Sequence, residues 1–152
     1  VFVAETTDVA MRCVDSDKDW VKTVSERLRK NRADIVAVDL GPIGKWGRPK
    51  SYDKAEKIQY YLEYPVIGET KPDFVFIDGP FRVASLMSAL LHSVPETRIV
   101  FDDYPFRPVY HVVEQVVAPV AQTGIQAMFE VPQRFDKGLA EELYRNFYHV
   151  MD

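Results

Sequence analysis

Four short apolar runs punctuate this chain, and each one ends at an aspartate. Val9 to Val14 runs into Asp15. The run Ile35-Val36-Ala37-Val38, inside the segment Asp34 to Leu40, stops at Asp39. Phe74-Val75-Phe76-Ile77 runs into Asp78-Gly79-Pro80, and Arg98 to Phe101 into Asp102-Asp103. Continuous apolar runs, without strict polar alternation, read as strands covered on both faces. Between them the spacing changes to that of helices. Trp20, Val21, Val24 and Leu28 share one face, after a capping box formed by Ser16 and Asp19. Val83, Leu86, Met87, Leu90, Leu91 and Val94 form a second stripe. Val109, Val112, Val113, Val116 and Val117 form a third behind Pro108, a residue suited to a helix N1 position. A last strand, Ile125 to Val131, follows a turn at Gly124. Asp136 then caps a final helix with Leu139, Leu143, Phe147 and Val150 along one side. Strand–helix alternation of this kind predicts an α/β fold with an open, mostly parallel sheet and helices on both faces.

Length permits one such core. The 152 residues match a single domain, 1–152, with an additional C-terminal helix at about 137–151. A charged fraction of 28% beside 47% hydrophobic residues excludes wholesale disorder. Lys and Arg number 19 against 23 Asp and Glu, and a net charge of -4 opposes a nucleic-acid-binding face. The single cysteine, Cys13, excludes an intramolecular disulfide and points to a reducing, cytoplasmic setting. No apolar run is long enough to span a membrane, and no partner role at a membrane is expected. The chain starts at Val1, not Met, so it is expected to begin inside a longer reading frame or after a cleavage.

In parallel sheets, ligands bind outside the carboxyl ends of the strands. One aspartate there is a common loop starter or N-cap; four on one rim suggest chemistry. The two oxygens of Asp15 match the vicinal hydroxyls of a ribose, and Asp39 sits where an adenine amino group could be reached. Asp78, Asp102 and Asp103 fall at the ends of neighbouring strands, where three carboxylates repel unless protonated or neutralised by a cation. A hard divalent cation such as Mg2+ suits oxygen ligands. The alternative is that one of them caps the helix after Pro80 and another pairs with Arg82 or Arg107. Those two arginines otherwise orient an acidic substrate. His111, on the next helix, is the candidate general base; His92, on an apolar face, reads as structural, and Cys13 as a core residue. Gly41 to Lys50, with three glycines and two prolines, reads as a loop that stays mobile without ligand. Its Trp46, and Tyr52 beyond it, are placed to cover a planar substrate.

Three segments resemble a known family. Cys13-Val14-Asp15-Ser16-Asp17-Lys18-Asp19-Trp20 is similar to the second-strand motif of class I S-adenosylmethionine-dependent methyltransferases, and Phe74 to Gly79 to their fourth-strand motif. Val100-Phe101-Asp102-Asp103-Tyr104 resembles the fifth-strand motif of the metal-dependent O-methyltransferases of the catechol, caffeoyl-CoA and macrocin types. Asp39 to Gly47, with Asp78 to Val83, also resembles a group of uncharacterised bacterial methyltransferase-like proteins. The likeness runs from about residue 1 to about residue 132. It implies a Rossmann-like three-layer sandwich, S-adenosylmethionine as cofactor and a small-molecule hydroxyl as acceptor. By the same resemblance Asp15, Asp39 and Asp78 hold the cofactor. Asp78, Asp102 and Asp103 hold the metal, and Asp78 and His111 serve catalysis. Trp46, Arg82 and Arg107 meet the substrate.

The family's glycine-rich loop does not precede Asp15, because the first glycine of the chain is Gly41. Val1 to Thr6 aligns with the helix that follows that loop, so the first strand is expected to be lacking. A central strand removed leaves unpaired sheet edges, so either Val9 to Val14 pairs directly with Asp73 to Ile77 or another segment, such as one from a second copy, fills the gap; a homodimer or a sheet closed across the gap is expected. The same gap supports a second reading, a truncated or non-catalytic methyltransferase-like domain serving as an interaction module. A third is a metal-dependent transferase using a nucleotide-sugar.

Overall fold

The computed structural model describes residues 2–28 and 33–151; Val1, where the first expected helix begins, lies outside them. The chain forms two compact units, Val1–Pro65 and Val66–Asp152.

The first unit contains α1 (Phe2–Thr6), β1 (Met11–Asp15), α2 (Lys18–Arg27), β2 (Ala33–Ala37) and α3 (Ile58–Glu63). β1 and β2 pair in parallel, with Met11 opposite Ala33 and Asp15 opposite Ala37. Two parallel strands need a crossover, and α2 lies between them in the chain. That helix starts one residue later than its expected cap. The Asp17 carboxylate accepts the amides of Asp19 and Trp20, while the Ser16 hydroxyl donates to the Gly47 carbonyl at 2.6 Å. The expected apolar stripe of α2 is narrow: Val24 is its one buried residue, and Trp20 is 56% exposed.

The second unit contains β3 (Phe74–Ile77), α4 (Arg82–His92), β4 (Arg98–Phe101), β5 (Ala121–Thr123), β6 (Gln126–Glu130) and α5 (Lys137–Phe147). Its sheet has the order β3-β4-β6-β5. β3 and β4 are parallel, while β6 is antiparallel to both neighbours. The expected parallel run therefore ends at β4. β5 and β6 are joined by a tight turn at Gly124 (φ 56°), too short for a parallel crossover. β5 carries no apolar alternation, so nothing in its sequence announced it. The expected α-helix behind Pro108 is instead a 3₁₀ helix, Pro108–Gln115. Its closely spaced valines are β-branched and crowd an α-helical turn, and Tyr110 and Val113, three apart, are the residues it buries.

The core of this unit lies between the sheet and α4, where Leu86, Met87, Ile99, Phe101 and Phe129 are all fully buried. Alternate residues point the other way. Phe74 and Phe76 are 54% and 52% exposed, so the opposite face of β3 is not covered as the continuous run had implied. α5 packs Ala140 and Leu143 into the same core, capped by the Asp136 carboxylate on the Leu139 amide. The stripe read from the sequence runs out at Val150, which is exposed. Leu143→Ala should lower the unfolding free energy by about 2–4 kcal/mol through the cavity it leaves. Val150→Ala should change it by less than about 0.5 kcal/mol, and urea denaturation of the two variants measures the contrast.

Candidate functional site

The carboxyl ends of β1 and β2 carry two of the four aspartates. Asp15 ends β1, half-buried, and its Oδ1 accepts the Asp17 amide at 2.8 Å. Burial pushes its carboxyl pKa upward, against the pull of the Asp17 and Ser16 amides. Asp39 follows β2 and is engaged at both oxygens. Oδ1 accepts the Gly41 amide at 3.1 Å, and Oδ2 takes Lys54 Nζ at 2.7 Å with Lys18 at 3.7 Å. The Lys54 hydrogen bond holds the Asp39 carboxyl down at about 2. Lys54, which the sequence reading did not connect with Asp39, thus ties Asp39 to the segment that follows.

That loop carries backbone hydrogen bonds across a hairpin, which its glycines and prolines had not suggested. The Gly44 amide donates to the Arg48 carbonyl at 2.7 Å and the Lys50 amide to the Pro42 carbonyl at 2.8 Å, with Ile43 bridging Pro49. Trp46 (φ 65°) and Gly47 (φ 69°) turn the hairpin through the left-handed region, as type I′ turns require. Trp46 is 84% exposed and Lys45 Nζ lies 4.9 Å from its ring centre. Tyr52 is exposed as well.

In the second unit the parallel pair β3–β4 ends at Asp78, Asp102 and Asp103, and these do converge. Their common partner is Arg82, at the start of α4. Nε donates to the Gly79 carbonyl at 3.1 Å. Nη1 donates to the Asp102 carbonyl at 2.7 Å and to Asp103 Oδ2 at 3.2 Å. Nη2 donates to the Asp78 carbonyl at 3.3 Å and to Asp78 Oδ1 at 3.1 Å. A guanidinium has five N–H groups, and all five find acceptors. The Asp102 side chain accepts from Gln126 Nε2 at 2.9 Å, and Asp103 also pairs with Arg107 at 3.2 Å. Removal from water raises the Asp78 carboxyl; Arg82 opposes this, while Asp102, hydrogen-bonded to it, and Asp103 reinforce it.

This arrangement corrects the metal reading. Among the described residues no group of three or more His, Cys, Asp or Glu side chains is placed to hold a metal ion. The cation that neutralises these carboxylates is the Arg82 guanidinium, so the donor set does not fit Mg2+. Arg82 is accordingly a structural residue; its side chain is buried and lies 5.9 Å from the Tyr110 ring centre. Arg107 is turned onto Asp103 and the Tyr110 hydroxyl. His111 is exposed and stacks on the Tyr104 ring at 4.9 Å, and no hydrogen bond to the three aspartates is seen for it among the described residues. Tyr104 instead donates its hydroxyl to Glu114 at 2.7 Å, a pair that raises its pKa along with its burial. Cys13 is partly buried, and burial raises its thiol pKa, as suits an unreactive core residue. No helix among the described residues is long and apolar enough to cross a membrane.

No family model matches the chain, nor does any curated protein. Among solved structures, the chain is similar to a methyltransferase-like protein from Silicibacter pomeroyi, with 31% sequence identity and a TM-score of 0.72. The match covers 90% of this chain and 75% of that one. The chain belongs to this methyltransferase-like family.

Arg82→Met leaves Asp78, Asp102 and Asp103 without their cation. Their partial exposure limits the cost to about 2–4 kcal/mol, below that of a fully buried pair. Without the guanidinium nothing opposes the burial that already raises the Asp78 carboxyl, so the folded variant binds more protons and gains stability as pH falls. Its deficit in urea midpoint should therefore be smaller at pH 4.5 than at pH 7. Asp39 has the opposite sign. Its folded carboxyl is depressed to about 2, so its contribution is present above the unfolded value of about 3.9 and is lost as pH falls toward 2. The difference in midpoint between the parent protein and Lys54→Ala should be present at pH 6 and vanish near pH 2.

Proposed function

We propose that this chain binds S-adenosylmethionine and serves methyl transfer to a small-molecule hydroxyl. The observation that carries this reading is Asp15, a half-buried carboxylate at the carboxyl end of β1 whose pKa is raised by burial. A carboxylate taken from water is stabilised by further donors, and vicinal ribose hydroxyls supply two to its two oxygens. The 31% identity to a methyltransferase-like protein supports the same assignment. When bound, the sulfonium group provides an electrophilic methyl. What the chain's own residues contribute is binding and proton management. Asp15 holds the ribose. Asp39 keeps the loop after β2 in place through Lys54. In the second unit, Asp78 is more than half exposed and raised in pKa by burial and by Asp102, as suits a group that exchanges a proton. The acid–base assignment to His111 has no geometric support.

The second reading is a non-catalytic methyltransferase-like domain that serves as an interaction module.

S-adenosylhomocysteine at 100 times its Kd should stabilise the parent protein by about 2.7 kcal/mol, read as a rise in melting temperature. Asp15→Asn keeps an acceptor for the Asp17 amide but loses the charge, and should weaken binding at least about tenfold by calorimetry. No binding of S-adenosylhomocysteine by the parent protein would overturn the proposal. Binding without transfer to any hydroxyl acceptor would select the second reading.

A further inference from the structure

An exposed tryptophan at the tip of a hydrogen-bonded hairpin is an uncommon placement, because burying its ring would be favourable. Here the ring is 84% exposed, on a backbone closed by two amide–carbonyl bonds and the Ile43–Pro49 bridge. Around it stand Lys45, Arg48 and Lys50, all exposed, with no acidic residue between Gly41 and Lys50. No salt bridge engages these three cations among the described residues. The hairpin therefore carries three positive charges on a chain whose net charge is -4. Lys45 lies against the indole face, and the Lys50 stem packs across Gly44.

The hairpin is also fixed in place relative to Asp15. Ser16 donates to the Gly47 carbonyl at 2.6 Å. A methyl group on Gly47 would stand 2.9 Å from Ser16 Oγ and 3.8 Å from Asp15 Oδ1. The residue after Trp46 thus rests on Ser16, next in sequence to the carboxylate proposed to hold the ribose. Such contact needs a residue without a side chain, and Gly47 meets that need at a positive φ.

From this juxtaposition we infer that the Lys45–Lys50 hairpin is the acceptor-binding element, and that the acceptor is an aromatic compound carrying an anionic group, a carboxylate or a phosphate ester. Trp46 stacks on the ring, and Lys45, Arg48 and Lys50 hold the anion. The charge decides between ring systems available at such a site. S-adenosylmethionine carries a sulfonium, an ammonium and a single carboxylate, a net positive ligand that three cations disfavour, whereas a net anionic aromatic acceptor complements the hairpin. The inference rests on the methyl-transfer reading for the word acceptor, but not for the binding itself.

Trp20→Phe leaves Trp46 as the single tryptophan, and its fluorescence then reports on the hairpin alone. Titration with 4-hydroxybenzoate and with phenyl phosphate should quench it saturably for at least one of the two, and the responding compound distinguishes carboxylate from phosphate. The uncharged 4-hydroxybenzamide should bind at least about tenfold more weakly. Arg48→Ala with Lys50→Ala should abolish the difference between charged and uncharged ligands, and added salt should reduce it. Trp46→Ala, at an exposed position, should remove binding measured by calorimetry. Failure of both anions to bind, or equal binding of the amide, overturns the inference. A blue shift on phosphatidylglycerol vesicles without any response to the soluble anions overturns it too, and marks the hairpin as a membrane contact. S-adenosylhomocysteine binding, measured separately, keeps the two proposals apart. If it binds and the aromatic anions do not, only the hairpin assignment falls. If the anions bind and it does not, the methyl-transfer reading falls and the hairpin site stands.

Discussion

The second unit depends on one guanidinium. Where β3 and β4 end, the carbonyls of Asp78, Gly79 and Asp102 lie beyond the ladder, and the chain places three carboxylates beside them. Unpaired carbonyls and crowded anions are each costly in a partly buried setting. Arg82 answers both with a single rigid fork, donating to three carbonyls and two carboxylates. It does so from the first residue of α4, entered through Phe81 in the left-handed region (φ 63°). Asp103 adopts the same region (φ 60°). Neither conformation is comfortable for a residue with a side chain, and both lie within the network that Arg82 closes. The bends that carry the rim are thus held by the same bonds that neutralise it.

The first unit reaches a comparable rim by a different route. Its fixed points are the Lys54–Asp39 pair and the Ser16–Gly47 bond, which tie the segment after β2 onto the end of β1. The outcome is a sorting of aspartates that look alike in sequence. Asp39 and Asp103 are consumed by cations and hold structure. Asp15 and Asp78 are raised in pKa, the first by burial against its backbone hydrogen bonds, the second by burial and by Asp102 despite Arg82. Carboxyls of the second kind are those that exchange partners or protons, which is why they carry the functional reading.

Much of the fold was legible. Each apolar run became a strand, and each aspartate sits at or just past a parallel strand's carboxyl end. α4 and α5 appeared where the spacing of Val83 to Leu90 and Leu139 to Leu143 placed them. The failures are of one type. Trp20, Val94 and Val109 fit apolar stripes yet are exposed, because periodicity says which face could be buried and not whether anything covers it. The antiparallel return of β6 and the brief β5 carry no local pattern that distinguishes direction. The metal reading failed for a related reason: Arg82 was in view, but as a group facing substrate, since five hydrogen bonds to atoms up to 21 residues away cannot be read from spacing.

The sequence by itself determined the class of fold, the strand ends and the clustering of acids at them, because hydrophobic periodicity and helix capping act over a few residues. It also pointed to a methyltransferase-like fold, through motifs that lie in contiguous segments. Only the tertiary structure decided which carboxylates remain available. Lys54 is 15 residues from Asp39, and Gln126 is 24 from Asp102. Burial and charge pairing depend on distances through space, and for these groups the fold, not the order of residues, sets those distances.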